Sequence, residues 1–181
     1  MPPKVKVTKE MILDAAFQIA REEGYENISA RAIADRLHCS TQPVMYNFKT
    51  IGEIRQAVYQ IADRYHSEYI APKGRAGMPP LLELGLNYIR FGAEEKRLFH
   101  FLFQSNQFAG KSLDGLLSAP EANGLLAMVS AARGCGMEEA KAVFLSMFIT
   151  AHGCASLVAN NAMEYEEEQF IRLLTNSYLR K

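Results

Sequence analysis

Between Ala142 and Met163 the chain carries no Asp, Glu, Lys or Arg, and a run of that length is long enough to cross a lipid bilayer. It also holds Ser146, Thr150, His152, Gly153, Ser156, Asn160 and Asn161. Hydrocarbon would have to accommodate those polar groups at a cost of roughly one to a few kcal/mol each. The run is therefore read as a helix buried inside protein, with no membrane partner, and such a helix needs other elements around it. The rest of the chain supplies them. Nearly every segment repeats its apolar residues with helical period, and no alternating run is long enough to suggest a sheet. The expected fold class is all-α.

Composition narrows the class further. With 181 residues, 49% of them hydrophobic and 22% charged, the chain is globular, either one domain or a small domain joined to a larger one. Cys39, Cys135 and Cys154 form no CxxC pair and are odd in number, which argues against a disulfide framework or a structural zinc. The start, Met1-Pro-Pro-Lys-Val-Lys-Val, lacks an apolar core of signal-peptide length, so the expected compartment is the cytoplasm with reduced thiols. No phosphate loop, nucleophile elbow or metal-ligand spacing occurs, and no catalytic residue, metal site or cofactor is expected.

Local signals place the helices. Thr8 caps a first helix that carries Ile12, Leu13, Ala16, Ile19 and Ala20 and stops at Gly24. Ser29 caps a short second helix that buries Ile33, Ala34 and Leu37 and ends near His38. After a turn of about three residues, Ser40 caps a third helix, Thr41 to Phe48, with Pro43 in its first turn. Thr50 and Glu53 form a capping box before a fourth helix with Ile54, Ala57, Val58, Ile61, Tyr65 and Tyr69. The segment Ala71 to Pro80 is rich in proline and glycine and reads as a linker. Further helices are expected at about 81–95, 96–106, 112–118, 120–134, 137–161 and 164–180. The domains expected are 1–50, a helix-turn-helix unit; 51–75, a connecting helix and linker; and 76–181, a larger helical domain.

Two short helices around a tight turn, steadied by a preceding helix, are the arrangement that places a helix in the DNA major groove. Ser40, Thr41 and Gln42 offer donors and acceptors for base edges, while Val44 and Phe48, four apart, face inward. Arg31, Pro43, Tyr46 and Lys49 surround that helix as further DNA contacts, and Lys4 and Lys6 form a basic arm able to follow the backbone or the minor groove.

These residues resemble the TetR family of transcriptional regulators over 8–61: Thr8-Lys-Glu-x-Ile12-Leu-x-Ala-Ala16, Gly24-Tyr25, Ser29-x-Arg31-x-Ile33-Ala34-x-x-Leu37 and Ser40-x-x-x-Val44-x-x-x-Phe48. The resemblance implies a three-helix DNA-binding unit, a helical C-terminal domain that dimerises and binds an effector, and repression relieved by that effector. Two positions depart from the pattern. Met45 stands where the family usually has a tyrosine that meets a phosphate, with Tyr46 one residue later. Ile51 stands where the family tends to have a lysine, and Lys49 is the nearest substitute. They motivate an alternative, a helical ligand-binding or interaction protein whose helix-turn-helix no longer binds DNA.

The second half is similar to a subset of TetR-like regulators through Tyr88-x-x-Phe91, Leu98-Phe99-x-Phe101-x-Phe103 and His152-Gly153. In the long helix, Phe144, Phe148 and His152 form one stripe, and Val143, Met147, Ala151, Cys154 and Val158 another beside it. One stripe is expected to face the core and the other a second copy of the helix, with Ala151, Cys154 and Ala155 allowing close approach. The last helix, with Phe170, Ile171, Leu173, Leu174, Ser177 and Tyr178, completes a four-helix interface. A largely apolar effector pocket is expected among Tyr88, Phe91, Phe99, Phe103, Phe144, Phe148 and His152.

The formal net charge is zero, which looks unlike a nucleic-acid binder. It divides, however, into 11 basic and 9 acidic groups over residues 1–75 and 9 basic and 11 acidic over 76–181. The partners expected are a double-stranded DNA operator, a small effector and a second copy of the chain. Affinity for DNA then depends on a few placed contacts, with little help from a long-range field.

Overall fold

The helix starts read from the sequence are made by side-chain oxygens in the computed structural model, which describes residues 7–105 and 120–179. Thr8 accepts the amide of Met11 at 3.3 Å and opens α1 (Lys9–Glu22). Gly24, at φ 102°, turns the chain into a short 3-10 segment, Tyr25–Asn27. Ser29 accepts the amide of Ala32 at 3.1 Å and opens α2 (Ala30–Arg36). α2 ends two residues before His38, which lies in the left-handed region at φ 51°. α3 (Thr41–Asn47) follows Ser40, which makes no side-chain capping bond, contrary to expectation. The capping box before α4 (Ile51–Ile70) is shifted by one residue. Thr50 accepts the amide of Glu53, but Glu53 accepts that of Lys49 instead of that of Thr50.

α5 (Pro80–Glu94), α6 (Lys96–Phe103), α7 (Pro120–Arg133), α8 (Met137–Ala159) and α9 (Glu167–Leu179) complete the described helices, and no strand occurs among the described residues. The protein is all-α. The helix expected at 112–118, and the arm residues Lys4 and Lys6, lie outside the described residues.

Of the described residues, 7–66 and 97–105 form one packed unit, and 67–96 and 120–179 another. The first unit is built on Ile12, Ile19, Ile28, Ile33, Val44, Ile54 and Val58, all fully buried or nearly so. α6 belongs to it. Phe101 stacks on Tyr25 with centroids 4.8 Å apart and receives the edge of Tyr59 at 5.5 Å, while the Tyr59 hydroxyl donates to the carbonyl of Leu102. Arg55 of α4 donates to the carbonyls of Glu26 and Ile28, and Arg36 of α2 donates to Glu22 and Glu23 of α1. The Arg55 bonds tie α4 to the segment between α1 and α2, and the Arg36 pairs link α2 to the end of α1.

The second unit is organised around α8, against which α5, α7 and α9 pack. By length and composition α8 could cross a membrane, but its buried residues, Val143, Phe144, Met147, Ala151, Cys154, Ala155 and Val158, make it the core helix of this unit. The two stripes were expected to divide between core and partner. In the structure both turn inward, with Phe148 and His152 half-buried, because α8 meets neighbours on most of its circumference. The small residues serve the fold instead: Ala155 lies against Gly92 of α5. A third face, with Ala142, Ile149, Gly153 and Leu157, is exposed.

The linker is held in place. The buried carboxylate of Glu83 accepts the backbone amides of Lys73, Gly74 and Arg75 at 2.9–3.1 Å. These amides, Arg75's first, hold its carboxyl below the usual carboxylate range. Glu167 of α9 accepts from both Arg75 and Arg90 at 2.7 Å.

Candidate nucleic-acid interface

α3 turns Val44 and Phe48 into the first unit and leaves Thr41, Gln42, Met45 and Tyr46 exposed. Positions i, i+1, i+4 and i+5 share one side of a helix, so these four form a single strip. Tyr46 is 89% exposed and Met45 40% exposed, unusual for side chains of their size. Pro43 is half-buried, and its carbonyl accepts the side-chain amide of Asn47 at 2.8 Å. The same amide reaches the carbonyl of Val7 at 3.4 Å, which ties the start of α1's leading segment to the end of α3. Nothing local in the sequence marks this role for Asn47, since an amide's partner forty residues away leaves no pattern of its own.

The other expected contacts flank the strip. Ser40 and Lys49 are exposed at either end of α3, and the Lys9 ammonium lies 5.5 Å over the ring of Phe48. Arg31 is exposed on α2 with Asp35 at 3.9 Å, an ion pair too open to immobilise the guanidinium. Nothing on α3 itself is charged.

Residues 12–58, which take in α1, α2, α3 and the first part of α4, match the family model described as bacterial regulatory proteins, tetR family. Over that segment the chain is similar to the DNA-binding domain of the tetR family. The fold agrees over nearly the whole length: a TetR-like transcriptional regulator from Rhodococcus sp. RHA1 superposes with a TM-score of 0.63 at 17% identity, covering 99% of this chain and 97% of that one. No curated protein sequence gives a significant match. α3 lies inside the matched segment, at the place of the second helix of a helix-turn-helix.

The second unit gathers some of the residues expected to hold an effector. The Tyr88 hydroxyl and Nδ1 of His152 are 2.9 Å apart, and the Phe148 ring lies 6.4 Å from Tyr88 and 5.9 Å from His152. Phe144 stacks on Phe148 at 6.4 Å. Burial pushes the Tyr88 hydroxyl above and the His152 imidazole below their ordinary values, so both are held neutral. Phe91, fully buried, meets the edge of Tyr69 at 5.3 Å. Phe99 and Phe103 belong to the first unit, where they contact each other at 5.0 Å and Phe103 meets His66 at 5.1 Å. Two surface clefts of the second unit lie elsewhere. One, of about 470 Å³, is lined by Ala93, Lys96, Val158, Asn161 and Tyr165; the other, of about 290 Å³, by Tyr69, Arg75, Glu83, Asn87 and Arg90.

Proposed function

We propose that this TetR-family regulator is a cytoplasmic homodimeric repressor that occupies a pseudo-palindromic operator and leaves it when a small, largely apolar effector binds the second unit. The observation that carries the reading is the exposed strip Thr41, Gln42, Met45 and Tyr46 on a helix whose other side is locked into a TetR-family domain. Support for the dimer comes from the outer face of α8, where Ile149 is 57% and Leu157 44% exposed around Gly153, with Leu173 of α9 similarly exposed. Large apolar side chains grouped in this way favour a covering partner. A two-fold axis would then set two recognition helices on half-sites about 34–36 Å apart. The neutral Tyr88–His152 pair among Phe144 and Phe148 offers the effector an apolar surround with one polar anchor. The effector acts through its different affinities for the operator-binding and released conformations.

Selection of bound sequences from random duplex DNA, followed by mobility-shift titration, tests the reading. The expected result is an inverted repeat bound by two chains. Failure to enrich any sequence, with no salt-dependent DNA binding, would favour a helical ligand-binding or interaction protein.

A further inference from the structure

The major groove is most often read by Arg or Lys on the O6 and N7 acceptors of guanine. α3 runs Thr41-Gln42-Pro43-Val44-Met45-Tyr46-Asn47 and has no cation to make that contact. Its exposed strip offers a hydroxyl, a carboxamide, a thioether and a phenol. A carboxamide suits the N6 and N7 edge of adenine, and the one apolar group a standard base presents in the major groove is the C5-methyl of thymine. Met45 is the matching surface. It is 40% exposed and stands one turn beyond Thr41 on the same side of the helix, at the edge of the strip beside the buried Val44 and Phe48. Left in water, that thioether exposes apolar area with no return; against a methyl group it buries area on both partners.

We infer that Met45 is a specificity-determining residue that selects a thymine in each half-site by covering its C5-methyl group, beside an adenine read by Gln42. The inference rests on α3 being the DNA-reading helix of the TetR-family domain. The methyl of 5-methylcytosine offers the same chemistry, so the two sources are separated by synthesis.

The experiment begins from the sequence selected on random duplexes and replaces each thymine singly with deoxyuridine, which removes the methyl and leaves every hydrogen-bonding group in place. At one thymine per half-site, uridine should weaken wild-type binding about fourfold, the effect of uncovering one methyl-sized group. Met45→Ala should bind the thymine and uridine duplexes equally. Met45→Leu should keep the preference and Met45→Gln should lose it, which guards against a general loss of folding. A 5-methylcytosine·guanine pair that binds better than thymine·adenine at that position would reassign the methyl to modified cytosine and overturn the thymine assignment. The inference is overturned alone if DNA is bound in sequence-specific fashion but no uridine substitution matters, or if Met45→Ala and Met45→Gln keep the wild-type penalty. If no sequence is selected at all, it falls together with the DNA-binding reading.

Discussion

A Cβ placed on Gly92 of α5 would stand 2.8 Å from the carbonyl oxygen of Ala155 on α8. The obstacle is backbone and cannot rotate away. Gly92→Ala should therefore destabilise the protein by about 1–3 kcal/mol through overpacking, although alanine is the better helix former by about 1 kcal/mol. Urea unfolding of the two proteins measures the difference, and an unchanged midpoint would show that α5 and α8 can separate freely.

Gln42 and Lys49 should fail in different ways. Gln42→Ala removes the carboxamide proposed to read a base from the exposed strip, and should cost roughly 1–3 kcal/mol on the selected site with little effect on unrelated DNA. Lys49→Ala should weaken all sequences alike and lower the salt slope by about one. Titration at several salt concentrations on specific and random duplexes separates the two patterns.

A charge on the outer face of α8 tests the proposed dimer, which it should divide without unfolding the chain. Ile149 and Leu157 are about half exposed, so Ile149→Glu and Leu157→Glu can turn the new carboxylate to water without burying a charge. Sedimentation should report a monomer with an unchanged helical spectrum, and operator affinity should fall with it. A variant that stays dimeric would place the interface on another surface.

His66 gives the fold an acid sensitivity. It is buried on α4 with Phe103 at 5.1 Å, and burial pushes its imidazole from 6.5 to about 4. Above pH 6.5 the ring is neutral whether the chain is folded or not. As pH falls through 6.5 toward 4 the unfolded chain takes up the proton first, so stability drops, by about 2 kcal/mol between pH 7 and pH 5 from this group. His66→Leu should lack that component in urea unfolding measured at both pH values.

Glu83 should protect the linker from proteolysis. Its carboxylate holds the amides of Lys73, Gly74 and Arg75, next to two exposed trypsin sites. Glu83→Ala should release that segment and speed cleavage after Lys73 and Arg75 several-fold under native conditions, since local opening controls the rate. Mass spectrometry of the early fragments identifies the bonds cut.

Capping residues act within one turn of themselves, which is why Thr8, Ser29 and Thr50 could be read directly from the sequence, although Glu53 reaches back to Lys49 and Ser40, read by the same rule, makes no capping bond. Likewise Val44 and Phe48 pointed inward because their spacing defines a single face of a short helix. α8 offered no such guide. A helix apolar on nearly every side carries no periodic signal to say which stripe meets the core, and the open face proved to be that of Ile149 and Leu157. The aromatics of α6 were hidden for another reason. Periodicity shows that Phe99 and Phe101 are buried, but their partners, such as Tyr25 for Phe101, are distant in sequence. The same holds for Asn47 and Val7.

Because α6 supplies Phe101 and Leu102 to the unit that contains α3, that head unit is not a contiguous stretch of chain. A gene fusion that joined residues 1–75 to a foreign sensor domain would leave behind the ring stacked on Tyr25 and the carbonyl that receives Tyr59. Hybrid regulators assembled from this protein should therefore carry residues 97–105 with the head, and exchange by recombination at the linker alone should yield chains that fold poorly.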